Sequence, residues 1–247
     1  MKEEGDAFSA FRDSFSKLQG NFHVLEQRVP VETQMEYFKY SGKVRKENDP
    51  PRPLSDQRCE ELYADLMGAE EMALKQHFLA ELATSKSVRG YRLLEEYVAH
   101  PDPEVVDWAH LALMEARISL ECDLSDEKQI YISSGLGGKG GKLRFFVLMT
   151  AKGGVPFEDF QRGVIERETA YYLAKEDCEI ERLTIADRHV ALVLLLPFQA
   201  DFKGMIERII SECNQYGNFL SMIFTVTNVK EPTPEEIEDI IVKNGND

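Results

Sequence analysis

The second half of the chain alternates between continuous apolar runs and amphipathic stretches. Short apolar runs are typical of buried strands, and three segments are predominantly apolar: KLRFFVLMTA, HVALVLLLP and NFLSMIFTVTNV. The more polar segment EIERLTIAD is predicted to be a fourth strand, paired with the one that follows it. Two longer stretches between them repeat apolar residues at helical spacing and predict helices: PFEDFQRGVIERETAYYLAKED and DFKGMIERIISECNQYG. The capping pattern Thr233-Pro234-Glu235-Glu236 predicts one further helix after the last strand.

The order β-α-β-β-α-β followed by a helix predicts a ferredoxin-like domain over residues 143–247. The first and third strands are central in that arrangement, and they are also the most continuously apolar of the four. Helices of such a domain cover one face of the sheet. The other face then needs a cover, which we expect to be the helical region or a second copy of the chain. A homodimer through the open sheet face is therefore one expectation.

The first half of the chain shows helical periodicity instead. Residues 55–128 are predicted to form an α-helical domain. Three prolines precede it at positions 50, 51 and 53, and proline disfavours helix. Residues 1–54 are therefore predicted to be an N-terminal segment that ends in a proline-rich linker. The two patterns meet at residues 129–142, where glycine and lysine dominate and predict a hinge loop.

A hairpin of two helices is predicted over roughly residues 86–120. Leu93-Leu94 precede the turn Asp102-Pro103-Glu104-Val105, and the alanines Ala109 and Ala112 follow it. This stretch resembles a HEAT-type helical repeat, and the resemblance implies a helical hairpin with a protein-binding face. The predicted fold class is α+β: an all-α N-terminal region with a HEAT-like hairpin, then a ferredoxin-like βαββαβ domain with an extra C-terminal helix.

The charge distribution changes this picture at one place. The chain carries 29 basic and 44 acidic residues, a net charge of −15, which repels nucleic acid and anionic membranes at long range. No acidic residue occurs between Lys128 and Phe157, although that stretch holds five basic residues. Lysines and exposed backbone N–H groups can bind a polyanion. The polyanion-binding candidates are Lys139, Lys142, Arg144, Lys152, Gly137, Gly138 and Gly140. A solvated flexible connector is the alternative.

The glycine-rich segment matches G-x-G-x-x-G from Gly135 to Gly140, but its context excludes a nucleotide fingerprint. That motif needs a strand before it and a helix after it, so that phosphate meets a helix N-terminus. Here a strand follows instead. The pair Gly153-Gly154, with the neighbouring Lys152, lies between a predicted strand and a predicted helix. A small anion can bind at such a helix N-terminus, and the alternative is that the glycines only form a tight turn.

Aromatic residues on the predicted hairpin form a second candidate surface. Trp108, Tyr91 and Tyr97 are candidates for contact with a protein partner, with packing inside the hairpin as the alternative. The sequence contains no catalytic arrangement of serine, cysteine or histidine at a known spacing, so we predict no enzyme activity and no catalytic residues. The four cysteines are far apart and the five histidines do not cluster. Accordingly, we predict no metal and no cofactor.

These observations predict a non-enzymatic binding, adaptor or regulatory protein that acts through protein–protein contacts. An RNA- or ribosome-associated factor that uses the basic glycine-rich loop 133–144 is the first alternative. A small-ligand sensor or hydrolase built on the ferredoxin-like domain is the second. The acidic start of the sequence lacks the apolar core of a signal peptide, and no apolar stretch approaches about 20 residues. The sequence therefore predicts a cytoplasmic protein without a membrane contact.

Overall fold

The computed structural model describes residues 21–47, 52–125, 129–132, 134–198 and 200–244. The chain divides between Gly135 and Leu136 into two compact units. The described residues up to Gly135 form the helical unit, and those from Leu136 onward form the α+β unit. This division lies inside the segment 129–142 that the sequence predicted to be a hinge loop.

The helical unit contains five helices and two short strands. In chain order they are β1 (Asn21–Val24), α1 (Val31–Glu47), α2 (Asp56–Gly68), α3 (Met72–Ala83), α4 (Val88–Ala99), α5 (Val106–Leu124) and β2 (Gln129–Ile132). Ser55 caps α2 by accepting a hydrogen bond from the backbone N–H of Arg58 at 3.2 Å. Ser87 accepts a similar bond from Gly90 at the start of α4.

Helix α1 belongs to the core of this unit, although the sequence analysis placed it in a separate N-terminal segment, residues 1–54. Its buried residues Gln34, Tyr37, Ser41 and Val44 recur every three or four positions, which puts them on one helix face. Polar residues dominate the rest of α1. Because apolar residues are few on this helix, the pattern was too weak to predict its burial from the sequence alone.

Strand β1 pairs with β2 in parallel, from Asn21 opposite Gln129 to Val24 opposite Ile132. Gln34 of α1 fixes the segment after β2, because its Nε2 donates to the backbone oxygen of Ser134 at 3.2 Å. Its Oε1 accepts a bond from the hydroxyl of Tyr131 at 2.7 Å. The start of the predicted hinge loop is thus a paired strand of the helical unit.

The α+β unit contains the predicted alternation of strands and helices. Its elements are β3 (Gly138–Lys139), β4 (Lys142–Ala151), a 3₁₀ turn (Lys152–Gly154), α6 (Asp159–Lys175), β5 (Glu179–Ile185), β6 (His189–Leu196), α7 (Phe202–Asn214), β7 (Leu220–Thr227) and α8 (Pro234–Asn244). All strand pairs of this sheet are antiparallel, in the order β3-β4-β6-β5, and β7 also pairs with β4. Helices come first and the sheet follows, so the prediction of an α+β protein is confirmed.

Each face of the sheet carries helices of the same chain. On one face, Phe145 of β4 stacks on Phe202 of α7 at 5.4 Å between ring centroids. On the other face, Ile237 and Ile240 of α8 pack against a buried cluster in the central strands: Leu136, Phe146, Leu148, Ala191 and Val193. The sequence predicted that the helical region or a second copy of the chain would cover this second face. Helix α8 covers it instead.

Within the described part of the chain, every helix is too short or too polar to span a lipid bilayer.

Candidate functional site

The glycine-rich segment forms a tight hairpin between β3 and β4. Gly138 pairs with Leu143 and Lys139 with Lys142, so Gly140 and Gly141 make the turn. Their φ angles are +57° and +77°, the left-handed region that a two-residue hairpin of this twist requires. The glycines are therefore explained by the backbone geometry of the turn.

The positive charge of Lys142 is neutralised within the sheet. Its Nζ lies 2.8 Å from Glu179 and 3.2 Å from Asp177, two acidic residues at and just before the start of β5. The hydrogen bond to Glu179 is the main cause that raises the pKa of Lys142. Lys142 is consequently a link between β4 and β5 and has little charge to offer a polyanion.

Arg144 is also engaged inside the fold. Its side chain is buried and forms an ion pair with Glu181 of β5, with Nη2 at 2.8 Å from Oε1. Its Nη1 donates a hydrogen bond to the backbone oxygen of Leu136 at 2.6 Å. Arg144 therefore fastens the segment before β3 to the sheet.

The remaining polyanion candidates do not come together in one place. Gly137 and Gly138 are buried, whereas Lys139 and Gly140 are exposed at the tip of the hairpin. Lys152 follows the last residue of β4, ten residues from Lys142, so the two ends of the strand are about 30 Å apart at about 3.3 Å per residue. The structure separates the exposed lysines into two locations.

The three aromatic protein-contact candidates lie largely inside the helical unit. Trp108 is 6% exposed, with its ring 5.2 Å from that of Tyr37. Tyr97 is 4% exposed, and its hydroxyl donates to Asp102 at 2.9 Å. Tyr91 is half-buried, and its hydroxyl accepts a bond from Arg117 at 3.3 Å. These rings pack in the core or bind neighbouring side chains, so they do not form one exposed aromatic face.

A cleft of about 190 Å³ opens at the edge of the sheet where β7 begins. We call it the edge cleft, and its walls are Lys152, Gly153, Leu220, Ser221, Met222, Ile223 and Asn244. The 3₁₀ turn, the first half of β7 and the last residue of α8 supply these groups. The sequence identifies Lys152 and Gly153 as candidates, but it gives no signal for Ser221 and Asn244, because these two residues are about 70 and 90 positions away from Lys152 and neither is part of a motif.

The polar groups of the edge cleft suit an anion or another hydrogen-bond acceptor. Lys152 is exposed and forms no ion pair with any acidic side chain among the described residues. The Nδ2 of Asn244 is shielded from solvent and has no acceptor in the part of the chain that the structure describes. A buried amide donor without a partner is costly, and a ligand that accepts its hydrogen bond would relieve that cost.

The sheet face beside the edge cleft also carries polar groups. Thr150 of β4 lies opposite His189 of β6, on the side covered by α8, and its buried hydroxyl has no partner among the described residues. Burial lowers the pKa of His189, while Glu238 opposes this effect and Arg188 adds to it. Arg188 and Glu238 form an ion pair at 3.2 Å, which ties α8 to the sheet.

No protein-family model matches the sequence, and no curated protein matches it. Two solved structures are similar to parts of the chain. One is a protein from Deinococcus radiodurans R1 assigned as a transposase, with 16% identity and a TM-score of 0.38, over 43% of this chain and 95% of that one. The other is a REP-associated tyrosine transposase bound to a REP hairpin, with 14% identity and a TM-score of 0.33, over 49% of this chain and 68% of that one.

These two neighbours contradict the predicted function class. Both are transposases by name, which are enzymes that act on DNA, whereas the sequence predicted a non-enzymatic adaptor and no enzyme activity. Those predictions were wrong, and neither neighbour supports a description of the chain as HEAT-like or protein-binding. At TM-scores of 0.38 and 0.33, neither likeness assigns transposase activity to this chain.

Proposed function

We propose that the α+β unit binds DNA, with the edge cleft holding one nucleotide of the strand. The observation that carries this proposal is that the Lys152 ammonium and the Asn244 amide, neither of which has a partner among residues 21–244 as far as they are described, lie in the walls of the same cleft. A lysine ammonium and an amide N–H are the groups that proteins use to hold phosphate oxygens. Met222, which is 54% exposed, and Ile223 supply an apolar wall for the sugar or the base.

The arrangement of the sheet supports this proposal and adds a fold assignment. The strand order β7-β4-β6-β5, with helices α6 and α7 as crossovers, is the order of a ferredoxin-like sheet. We propose that arrangement for the α+β unit. The edge cleft then lies at an outer strand, where an extended ligand can approach from solvent.

The net charge of −15 sets the conditions under which binding is seen. An acidic protein repels DNA at long range, so binding depends on local contacts and falls steeply with added salt. We therefore expect weak affinity that is measurable at low salt and lost at physiological salt. A DNA hairpin is the first ligand to test, because one of the two similar proteins was solved with a hairpin.

The test measures fluorescence anisotropy of a labelled DNA hairpin at low salt for the wild type, Lys152→Glu and Lys139→Glu. Both lysines are exposed, and both substitutions change the net charge by the same amount. We expect Lys152→Glu to weaken binding by about tenfold or more and Lys139→Glu to have a much smaller effect. Equal effects of the two variants would mean that binding depends on overall charge and not on the edge cleft.

A second variant separates the amide from the lysine. Asn244→Ala removes the unsatisfied donor without changing the charge, so it should weaken binding while leaving the salt dependence unchanged. Absence of hairpin binding at low salt in the wild type would refute the proposal. The same mixtures are also incubated with Mg²⁺ and then resolved on a denaturing gel, which shows whether a DNA strand is cleaved.

A further inference from the structure

Strand β7 has one edge without a partner strand in the part of the chain that the structure describes. Among the described strands β7 pairs only with β4, and the register places Thr227 opposite Phe146 and Thr225 opposite Leu148. The backbone N–H of Arg144 donates to the backbone oxygen of Gly137, directly before β3. Strands β3 and β7 lie on the same side of β4, so the even-numbered residues of β4 direct their backbone groups to that side. Phe146 and Leu148 therefore bond to their partners on β7.

The alternation of a strand then fixes which groups face outward. Because Thr225 and Thr227 direct their N–H and C=O groups towards β4, the backbone groups of Phe224 and Val226 point away from the sheet. No hydrogen bond occupies these outward groups within the described residues. An unpaired row of this kind is a template for another strand.

The two edges of this sheet differ in their protection. The opposite edge strand, β5, carries Glu179, Glu181 and Arg182 and has a register shift between Ile180 and Arg182. Charges and irregular register are the features that prevent edge-to-edge pairing. Strand β7 contains no charged residue, no proline and no glycine, and the uncharged stretch extends from Cys213 to Val229. Of the two edges of the described sheet, only the β7 edge is therefore open to a partner strand.

We propose that β7 pairs antiparallel with β7 of a second copy of this chain, across a twofold axis, to join the two sheets. Charge selects a second copy as the occupant. Most surfaces of a chain with a net charge of −15 repel a second copy, whereas every antiparallel register of β7 with itself places only uncharged side chains opposite one another. The outward groups of Phe224 and Val226 then gain hydrogen-bond partners.

This dimer uses the edge of the sheet, and it differs from a dimer through the sheet face, where α8 already packs. It does not rest on DNA binding. The pairing site at Phe224 and Val226 lies next to the stretch Leu220–Ile223 that lines the edge cleft. The dimer would therefore contain two edge clefts, one from each copy, along one continuous sheet.

The experiment measures the mass of the full chain by light scattering over a range of concentrations. The wild type should show the mass of two chains. Val226→Pro removes one outward N–H and leaves the bonds of Thr225 and Thr227 to β4 in place, so it should weaken the dimer by about tenfold or more. Met222→Lys, at a side chain that is 54% exposed, should do the same because it introduces a positive charge from each copy into a strand pair that otherwise holds only uncharged side chains.

The matched control is Thr184→Lys, which places a lysine at an exposed position of the charged edge strand β5 and should leave the mass at two chains. Circular dichroism checks the fold of each variant, and Met222→Lys decides the question where Val226→Pro fails to fold. A monomeric wild type at the highest soluble concentration overturns the proposal. So does a dimer that persists in both β7 variants, or one that Thr184→Lys dissociates equally. A mass above one chain that requires a co-purified protein also overturns it.

Discussion

The hydroxyl of Tyr37 donates a hydrogen bond of 2.6 Å to Oε2 of Glu115 in the core of the helical unit. Tyr37 is fully buried and Glu115 is 6% exposed, so a carboxylate lies among apolar side chains. Ser41 donates to the other oxygen at 3.2 Å, and Arg45 forms an ion pair with it. Burial, and then the neighbouring Glu115, hold the pKa of Tyr37 well above its usual value, so the phenol stays protonated and keeps donating.

Removal of the Tyr37 hydroxyl should therefore destabilise the protein. Tyr37→Phe leaves one oxygen of a buried carboxylate without its donor, and we expect a loss of about 1–3 kcal/mol in the free energy of unfolding. Urea denaturation followed by circular dichroism measures it. Tyr91→Phe is the control, because the half-buried Tyr91 bonds to Arg117 at 3.3 Å and to Glu95 near the surface, where water can replace its hydroxyl, and we expect a change within about 0.5 kcal/mol. Equal losses in both variants would contradict this account.

His189 should make the stability depend on pH. Burial lowers the pKa of its imidazole in the folded state below the usual value of about 6.5, although Glu238 opposes the effect and Arg188 adds to it. The unfolded state then binds the proton more tightly, so the free energy of unfolding falls as pH decreases through about 6.5. His189→Gln should reduce this loss between about pH 7 and pH 5, as measured by urea denaturation at each pH. A residual slope is expected from His110, whose pKa burial also lowers.

Arg144 and Lys142 should differ in their contribution to stability even though both pair with acids of the neighbouring segment. Arg144→Met breaks a pair with Glu181 at a buried guanidinium and leaves the oxygen of Leu136 without its donor, which should cost about 1–3 kcal/mol. Lys142→Met removes an ammonium near the surface whose partners Glu179 and Asp177 are exposed, so we expect a clearly smaller loss than for Arg144→Met. Thermal unfolding of the two variants provides the comparison, and a larger loss for Lys142→Met would refute it.

Two glycine-to-alanine substitutions should have opposite signs. Gly140 has a φ of +57° in the hairpin turn, so Gly140→Ala forces an unfavourable backbone conformation that costs about 1–2 kcal/mol. Gly42 lies inside α1, where an added Cβ would meet no atom within 4 Å. Gly42→Ala should stabilise the protein by up to about 1 kcal/mol because alanine favours helix. The two melting temperatures should therefore move in opposite directions relative to the wild type.

The two central strands of the α+β unit, β4 and β6, were predictable because each is a short continuous apolar run. The sequence could not show the pairing of basic residues with acids of the neighbouring segment. Arg144 and Glu181 are 37 positions apart, and only the antiparallel sheet brings them together. A stretch without acids in the sequence is consequently not a stretch without acidic neighbours in space. This is why three basic residues of one segment, Lys139, Lys142 and Arg144, have different environments.

The aromatic residues of the helical unit show the same limit. Trp108 was a candidate for contact with a protein partner because it is an aromatic residue on the predicted hairpin. Helix α1 supplies the missing cover, with Tyr37 at 5.2 Å and Tyr40 at 5.6 Å from the Trp108 ring. The edge cleft is a further example, since Lys152 and Asn244 belong to segments more than 90 positions apart. Residue types and spacing alone do not show which distant residues lie close together in the folded protein.

The parallel pairing of β1 with β2 has a consequence for synthesis on the ribosome. Asn21 is translated more than 100 residues before its partner Gln129. Strand β1 therefore lacks its partner strand until the five described helices between the two strands have been synthesised. Pairing of β1 with β2 therefore cannot precede synthesis of the helices between them, and a nascent chain halted before Gln129 would keep β1 open to incorrect partners.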